Sequence, residues 1–178
     1  MRYRLIAFAF IILIVPAFAS VALATTVDMR SITCSNYLSM PAAPSNKFSA
    51  WMTGWFSYQS RRTFVDFDLH RANVASVRAW CQSNPTASVM VGLEKSIGAT
   101  AVPNATIDFN KITCGNWLGY GPEDRDFVTY FMSGYYNATA SNDVLDYDRL
   151  QRNSSAVAAY CKKNKSRTLP TAIQSRAS

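Results

Sequence analysis

Four cysteines are the residues of this chain whose chemistry is easiest to place: Cys34, Cys81, Cys114 and Cys161. Cys34 and Cys81 stand 47 positions apart, and so do Cys114 and Cys161. Those intervals are too wide for a close-spaced zinc motif. An even number of cysteines in an exported chain reads instead as a disulfide framework. Four cysteines allow three pairings, and spacing alone does not choose among them. Other reactive groups are few. His70 is the single histidine, and it stands where a helix is expected to begin, so it is expected on the surface and solvated. No nucleophile motif and no glycine-rich phosphate loop occurs. The chain is read as a non-enzyme, with no cofactor and no metal.

Export is read from the N-terminus. Arg2 and Arg4 precede the apolar run Leu5 to Val15, Pro16 breaks it, and Ala22-Leu23-Ala24 offers a small-x-small cleavage site. Ala17-Phe18-Ala19 is a second such site. The run is shorter than the ~20 residues of a spanning helix, so residues 1–24 are expected to be a cleaved signal peptide rather than an anchor, with no stable membrane insertion afterwards. Losing Arg2 and Arg4 takes 18 basic residues to 16 against 11 acidic ones, a net +5. The cations are scattered, with no run longer than Arg61-Arg62 or Lys162-Lys163. A phosphate-binding face needs clustered cations, so nucleic acid is excluded as a partner.

Sliding the chain against itself by 80 positions aligns much more than the cysteines. Ile32-Thr33-Cys34 falls on Ile112-Thr113-Cys114, and Trp51-Met52-Thr53-Gly54-Trp55-Phe56 falls on Phe131-Met132-Ser133-Gly134-Tyr135-Tyr136. Asp66-Phe67-Asp68 falls on Asp146-Tyr147-Asp148, and Trp80-Cys81 on Tyr160-Cys161. An ungapped register that keeps cysteines, a glycine and aromatic positions together is a tandem duplication. The modules are read as residues 25–97 and 107–178, joined by a Gly/Pro-marked linker at 98–106. Each copy then most simply carries its own bridge, Cys34–Cys81 and Cys114–Cys161. Pairing across the copies is the alternative, and it requires both copies to have diverged together.

Helices are expected to position these groups. Thr33 and Thr113 read as N-caps of short helices. Ser45 reads as the cap of a longer one, on which Phe48, Trp51, Met52 and Trp55 share a face. Phe127, Tyr130, Phe131, Gly134 and Tyr135 repeat that stripe. A mid-helix glycine costs roughly 1 kcal/mol against alanine, so its recurrence at Gly54 and Gly134 points to a closely packed neighbour. Asp68 and Asp148 read as caps of a third helix, with Asp66 and Asp146 in the preceding turn. Asn84-Pro85 reads as the start of a fourth. Lys165 replaces that proline in the second copy and Pro170 interrupts it, so the fourth helix there is expected to be short or absent. Phe64 to Phe67 alternates only briefly. The fold class is all-α: two tandem small helical modules of about four helices each, with one disulfide inside each module. For a module this small, a bridge closing a loop of ~48 residues is worth up to about 4 kcal/mol in the chain-entropy model.

Taken together, these residues resemble the HdeA/HdeB family of periplasmic acid-stress chaperones. The likeness lies in Thr-Cys before a short helix (Thr33-Cys34, Thr113-Cys114) and in the aromatic-x-x-Gly-aromatic segment (Trp51 to Trp55, Phe131 to Tyr135). A Val/Leu-Asp step follows (Val65-Asp66, Leu145-Asp146), then a helix ending in Cys-x-x-Asn (Cys81 to Asn84, Cys161 to Asn164). The resemblance implies a periplasmic protein that works without ATP, is folded and inactive near neutral pH, and in acid loosens to hold unfolding proteins in solution. Carrying two modules departs from the usual pattern, and leaves an intramolecular module pair or a homodimer as the resting form. Trp51, Trp55, Phe56, Tyr58, Phe131, Tyr135 and Tyr136 are the expected client-binding residues. Asp66, Asp68, Asp146 and Asp148 are the expected acid-sensing ones. In strong acid the 11 carboxylates protonate while the 16 basic residues and His70 stay charged, raising the net charge from +5 toward about +17. The other reading is a disulfide-stabilised envelope protein that docks to a fixed partner with no acid switch.

Overall fold

The computed structural model describes residues 26–96 and 106–176. The expected signal peptide and positions 98–105 of the expected linker lie outside the described residues. Each half runs strand, short helix, long helix, strand, long helix, short helix. The first half comprises β1 (Thr26–Asp28), α1 (Cys34–Ser39), α2 (Ala42–Gln59), β2 (Phe64–Asp66), α3 (Phe67–Ser83) and α4 (Val89–Ser96). The second comprises β3 (Thr106–Asp108), a 3-10 turn at Phe109–Lys111, α5 (Cys114–Gly119), α6 (Pro122–Thr139), β4 (Val144–Asp146), α7 (Tyr147–Lys163) and α8 (Leu169–Arg176). The fold is all-α with two similar halves, and the strands are minor. The disulfides are Cys34–Cys81 and Cys114–Cys161, each with a Cα separation of 4.8 Å. Each bridge pins a short helix to the far end of the half's third helix.

Several local signals act one step away from where the sequence alone puts them. Thr33 and Thr113 do cap α1 and α5, each in a reciprocal capping box with Asn36 or Asn116. Ser45, in contrast, lies buried inside α2. Pro41 sits at the N-cap of that helix, because a residue without an N–H loses nothing where amide donors have no intrahelical partner. The caps of α3 and α7 are Asp66 and Asp146 rather than Asp68 and Asp148. The Asp66 carboxylate accepts from the amides of Asp68 at 2.8 Å and Leu69 at 3.0 Å, and that of Asp146 accepts from the Arg149 amide at 2.8 Å. Extended backbone at both residues aims the side chain at the first turn. Asp68 and Asp148 lie exposed in that turn.

Asn84 ends α3 instead of starting α4. Its side-chain amide donates to the Trp80 carbonyl at 2.9 Å, and Asn164 makes the same bond to the Tyr160 carbonyl. This cap does not depend on the following residue, so exchanging Pro85 for Lys165 changes little. Both fourth helices have eight residues. Pro170 is the second residue of α8, where no intrahelical N–H bond is needed.

The strands tie the two halves together. β1 pairs antiparallel with β4, with Val27 opposite Leu145, and β2 pairs with β3, with Val65 opposite Ile107. Each half therefore lends its first strand to the other. The exchange reaches the interior. Leu145 of the second half is fully buried in the first core, beside Met29, Phe48, Trp51 and Val77. Val65 of the first half is buried in the second core, beside Phe109, Val128, Phe131 and Val157.

Candidate functional site

The aromatic stripes meet where α2 crosses α6. Gly54 and Gly134 are the contact points, and they are related by the repeat. A Cβ at Gly54 would stand 2.8 Å from the Phe131 carbonyl carbon and 2.9 Å from the Tyr135 amide nitrogen. One at Gly134 would stand 2.8 Å from the Trp51 carbonyl carbon and 3.1 Å from the Trp55 amide nitrogen. Backbone lies on backbone here, and glycine is what admits it. The closely packed neighbour expected at these glycines is the other half of the same chain.

Burial divides the expected client-binding residues. Trp51, Trp55 and Phe131 are buried. Trp51 stacks on Trp55 with centroids 5.4 Å apart, and Phe131 stacks on Phe109 at 3.8 Å. Phe56, Tyr135 and Tyr136 are half-buried. Tyr58 is 38% exposed and meets the edge of Tyr135 across the two halves at 5.4 Å. Most of this aromatic surface is thus core, packed where α2 meets α6.

The contacts that join the two halves include charged groups beyond the expected acid-sensing residues. Arg30 pairs with Asp143, and Lys47 pairs with Asp126 at 3.0 Å. Both pairs join a cation of the first half to a carboxylate of the second. Neither is duplicated: the repeat places Asn110 and Thr63 at one equivalent pair of positions, and Phe127 and Asn46 at the other. The readable signal was a change of charge between aligned positions. Of the expected acid-sensing residues, Asp66 and Asp146 are helix caps and Asp68 pairs with Arg71 on the surface. Asp148 has neither role.

His70 is not solvated. It is half-buried. Its Nδ1 lies 2.9 Å from the Thr53 hydroxyl on α2, and its ring meets Phe127 of α6 edge-on at 5.0 Å. Burial, with a smaller contribution from the Arg71 charge, lowers its pKa from 6.5 to about 4. The uncharged imidazole is thus the form favoured in the folded structure. Leu150 takes its place in the second half and packs against the first core. The sequence could not show this, because Phe127 comes from the other half.

A helical half closed by one disulfide, repeated and paired face to face through an aromatic seam, defines a small tandem helical protein. The HdeA/HdeB family model matches residues 4–91 and again residues 89–171, and the chain belongs to that family, which is associated with periplasmic acid-stress chaperones. No curated protein and no solved structure matches the chain. No helix among the described residues is long and apolar enough to cross a membrane.

Proposed function

We propose that this chain is a periplasmic, ATP-independent holdase, exported with loss of residues 1–24, which opens in acid and keeps acid-unfolded proteins soluble. The observation that carries the reading is the α2–α6 seam, where a buried aromatic surface is flanked by groups that acid alters. Protonation of Asp126 and Asp143 removes the ion pairs to Lys47 and Arg30. Protonation of Asp66 and Asp146 weakens the caps of α3 and α7, each worth ~1 kcal/mol. Protonation of His70 puts a charge among Thr53, Phe127 and Arg71. The rise in net charge toward about +17 then repels the halves and keeps a complex with an aggregating client in solution. Trp51, Trp55, Phe56, Tyr58, Phe131, Tyr135 and Tyr136 provide the client surface. The disulfides survive acid and limit the expansion of each half. The halves stand in for the two subunits of a dimer, and catalysis has no part.

The test mixes the exported chain with an acid-labile client at about pH 2–3 and records light scattering together with the fluorescence of an apolar-surface dye. Suppressed scattering with increased dye binding supports the proposal. Unchanged aggregation, or no dye binding on acidification, overturns it. The strand exchange favours the rival reading, a disulfide-stabilised envelope protein that stays shut, and that protein gives the second result.

A further inference from the structure

Each half holds a cavity in the same place, between its long helices and its last short helix, and the two differ greatly in size. In the first half it measures about 70 Å³. In the second it measures about 410 Å³, within the ~300–1,000 Å³ of ordinary small-molecule sites. The substitutions along the repeat act in both directions, and Trp117 for Tyr37 and Tyr136 for Phe56 add bulk. Ser154 replaces Val74 and Ser133 replaces Thr53, each removing bulk from the wall. Arg149 replaces Leu69 and brings a cation to it.

The polar groups around the second cavity differ from those around the first. In the first half the Tyr37 hydroxyl is satisfied by the Ser49 hydroxyl at 2.9 Å. The equivalent residue is Trp117, which lines the second cavity, is 3% exposed, and has a buried indole N–H with no hydrogen-bond partner. Thr129 replaces Ser49 and gives its hydroxyl to the Arg125 carbonyl at 2.7 Å, as Ser49 does to the Ser45 carbonyl at 2.8 Å. A buried donor without an acceptor costs ~1–3 kcal/mol. Arg149 forms no ion pair and no side-chain hydrogen bond among the described residues. Asp146, also on the wall, accepts from the Arg149 backbone amide. The rest of the lining mixes the carboxamides of Asn137, Asn142, Asn153 and Gln174 with apolar groups, of which Met132, Val157 and Leu169 are buried.

We propose that the second-half cavity is a binding site for a small amphipathic carboxylate, its head group taken by Arg149 and its chain lying on Met132, Val157 and Leu169. The first half, with Leu69 and Val74 on its wall, has no such site. The site belongs to the closed state, and the proposal does not depend on acid opening.

Octanoate and octanol are the probes, titrated calorimetrically into the exported chain at neutral pH. One equivalent of octanoate is expected to bind, with octanol at least ten-fold weaker. Arg149→Met is expected to weaken octanoate ten-fold or more and leave octanol nearly unchanged. Ser154→Val, which restores the residue of the first half, narrows the cavity and weakens both ligands. Thermal melts confirm that the variants fold, and Ser154→Val keeps the test decisive if Arg149→Met does not. No octanoate binding, octanol binding as tightly as octanoate, or octanoate binding unmoved by Ser154→Val each overturns the proposal.

Discussion

Replacing Gly54 with alanine probes the seam at its narrowest point, and the sign of the effect decides the matter. In an open helix interior the change is favourable by ~1 kcal/mol, because glycine loses more backbone freedom on folding. At this crossing the added methyl runs into the Phe131 carbonyl oxygen first, with the carbonyl carbon at 2.8 Å and the Tyr135 amide nitrogen at 2.9 Å. Carbon atoms pack at about 3.5–4.0 Å, so α2 and α6 must separate by about 1 Å, which forfeits a quarter to a half of each dispersion contact across the seam. Overpacking of this kind costs ~1–3 kcal/mol, more than the propensity gain. Setting the propensity gain against the upper end of that range leaves ~2 kcal/mol, which for a chain of this size is a fall in Tm of about 4–8 °C. Gly134→Ala is expected to cost a similar amount through the Trp51 carbonyl. Together the two cost less than their sum, because the first has already parted the helices. Gly119→Ala is the control, since nothing lies within 4 Å of its added methyl. Urea unfolding at neutral pH, followed by tryptophan fluorescence, measures all four variants. A Gly54→Ala protein as stable as the parent, or more stable, refutes the close crossing.

His70→Leu tests the histidine as a pH-dependent element. With its pKa lowered from 6.5 to about 4, the uncharged ring is favoured in the folded state. Stability from this group is therefore complete above pH ~6.5 and lost as pH falls toward 4, by up to about 3 kcal/mol. Urea midpoints at pH 7 and pH 4.5 should differ less in the variant, and an equal drop counts against His70. Asp126→Asn and Asp143→Asn should each cost under ~1 kcal/mol at neutral pH. Asp143→Asn should cost the more of the two, because Asp143 is 18% exposed against 53% for Asp126; a larger loss for Asp126→Asn in the same urea series reverses that ranking. Replacing Cys34 and Cys81 together by serine should remove up to about 4 kcal/mol, and so should replacing Cys114 and Cys161. Non-reducing peptide mapping should recover no peptide that joins the two halves.

The duplication, the disulfide pairs, the long aromatic helices and the close approach at Gly54 and Gly134 were legible because each is written in local spacing and then written again 80 positions later. The capping errors have a common cause. A carboxylate or an amide can serve a backbone group two to four residues away on either side. Asp66 and Asp68 are therefore equivalent candidates until the backbone of one is seen to be extended, and Asn84 can end one helix as readily as begin another. The strands failed for a different reason. Three residues give at most one alternation of apolar and polar, too little to set against a helical period. A weak signal was present in the parallel recurrence of Val27-Asp28 as Ile107-Asp108 and of Val65-Asp66 as Leu145-Asp146. Their partners lie in the other half, and no pattern within one half names them. The burial of His70 and the ion pairs of Asp126 and Asp143 were hidden in the same way.

The exchange of strands changes what opening must involve. Were the halves two finished globules in contact, acid could part them and leave both cores intact. Leu145, however, is buried in the first core and Val65 in the second. Withdrawing the seam far enough to take β4 from β1 removes a fully buried leucine from the core that holds Trp51 and Phe48. A cavity of that origin costs ~2–5 kcal/mol. Parting the halves and loosening their cores are therefore one event. The covalent link makes that event intramolecular, so closure does not vary with protein concentration as it does for a dissociating dimer. Under the acid-opening proposal, pH sets the balance between a shut seam and an open one, and the disulfides decide how far each loosened half can spread.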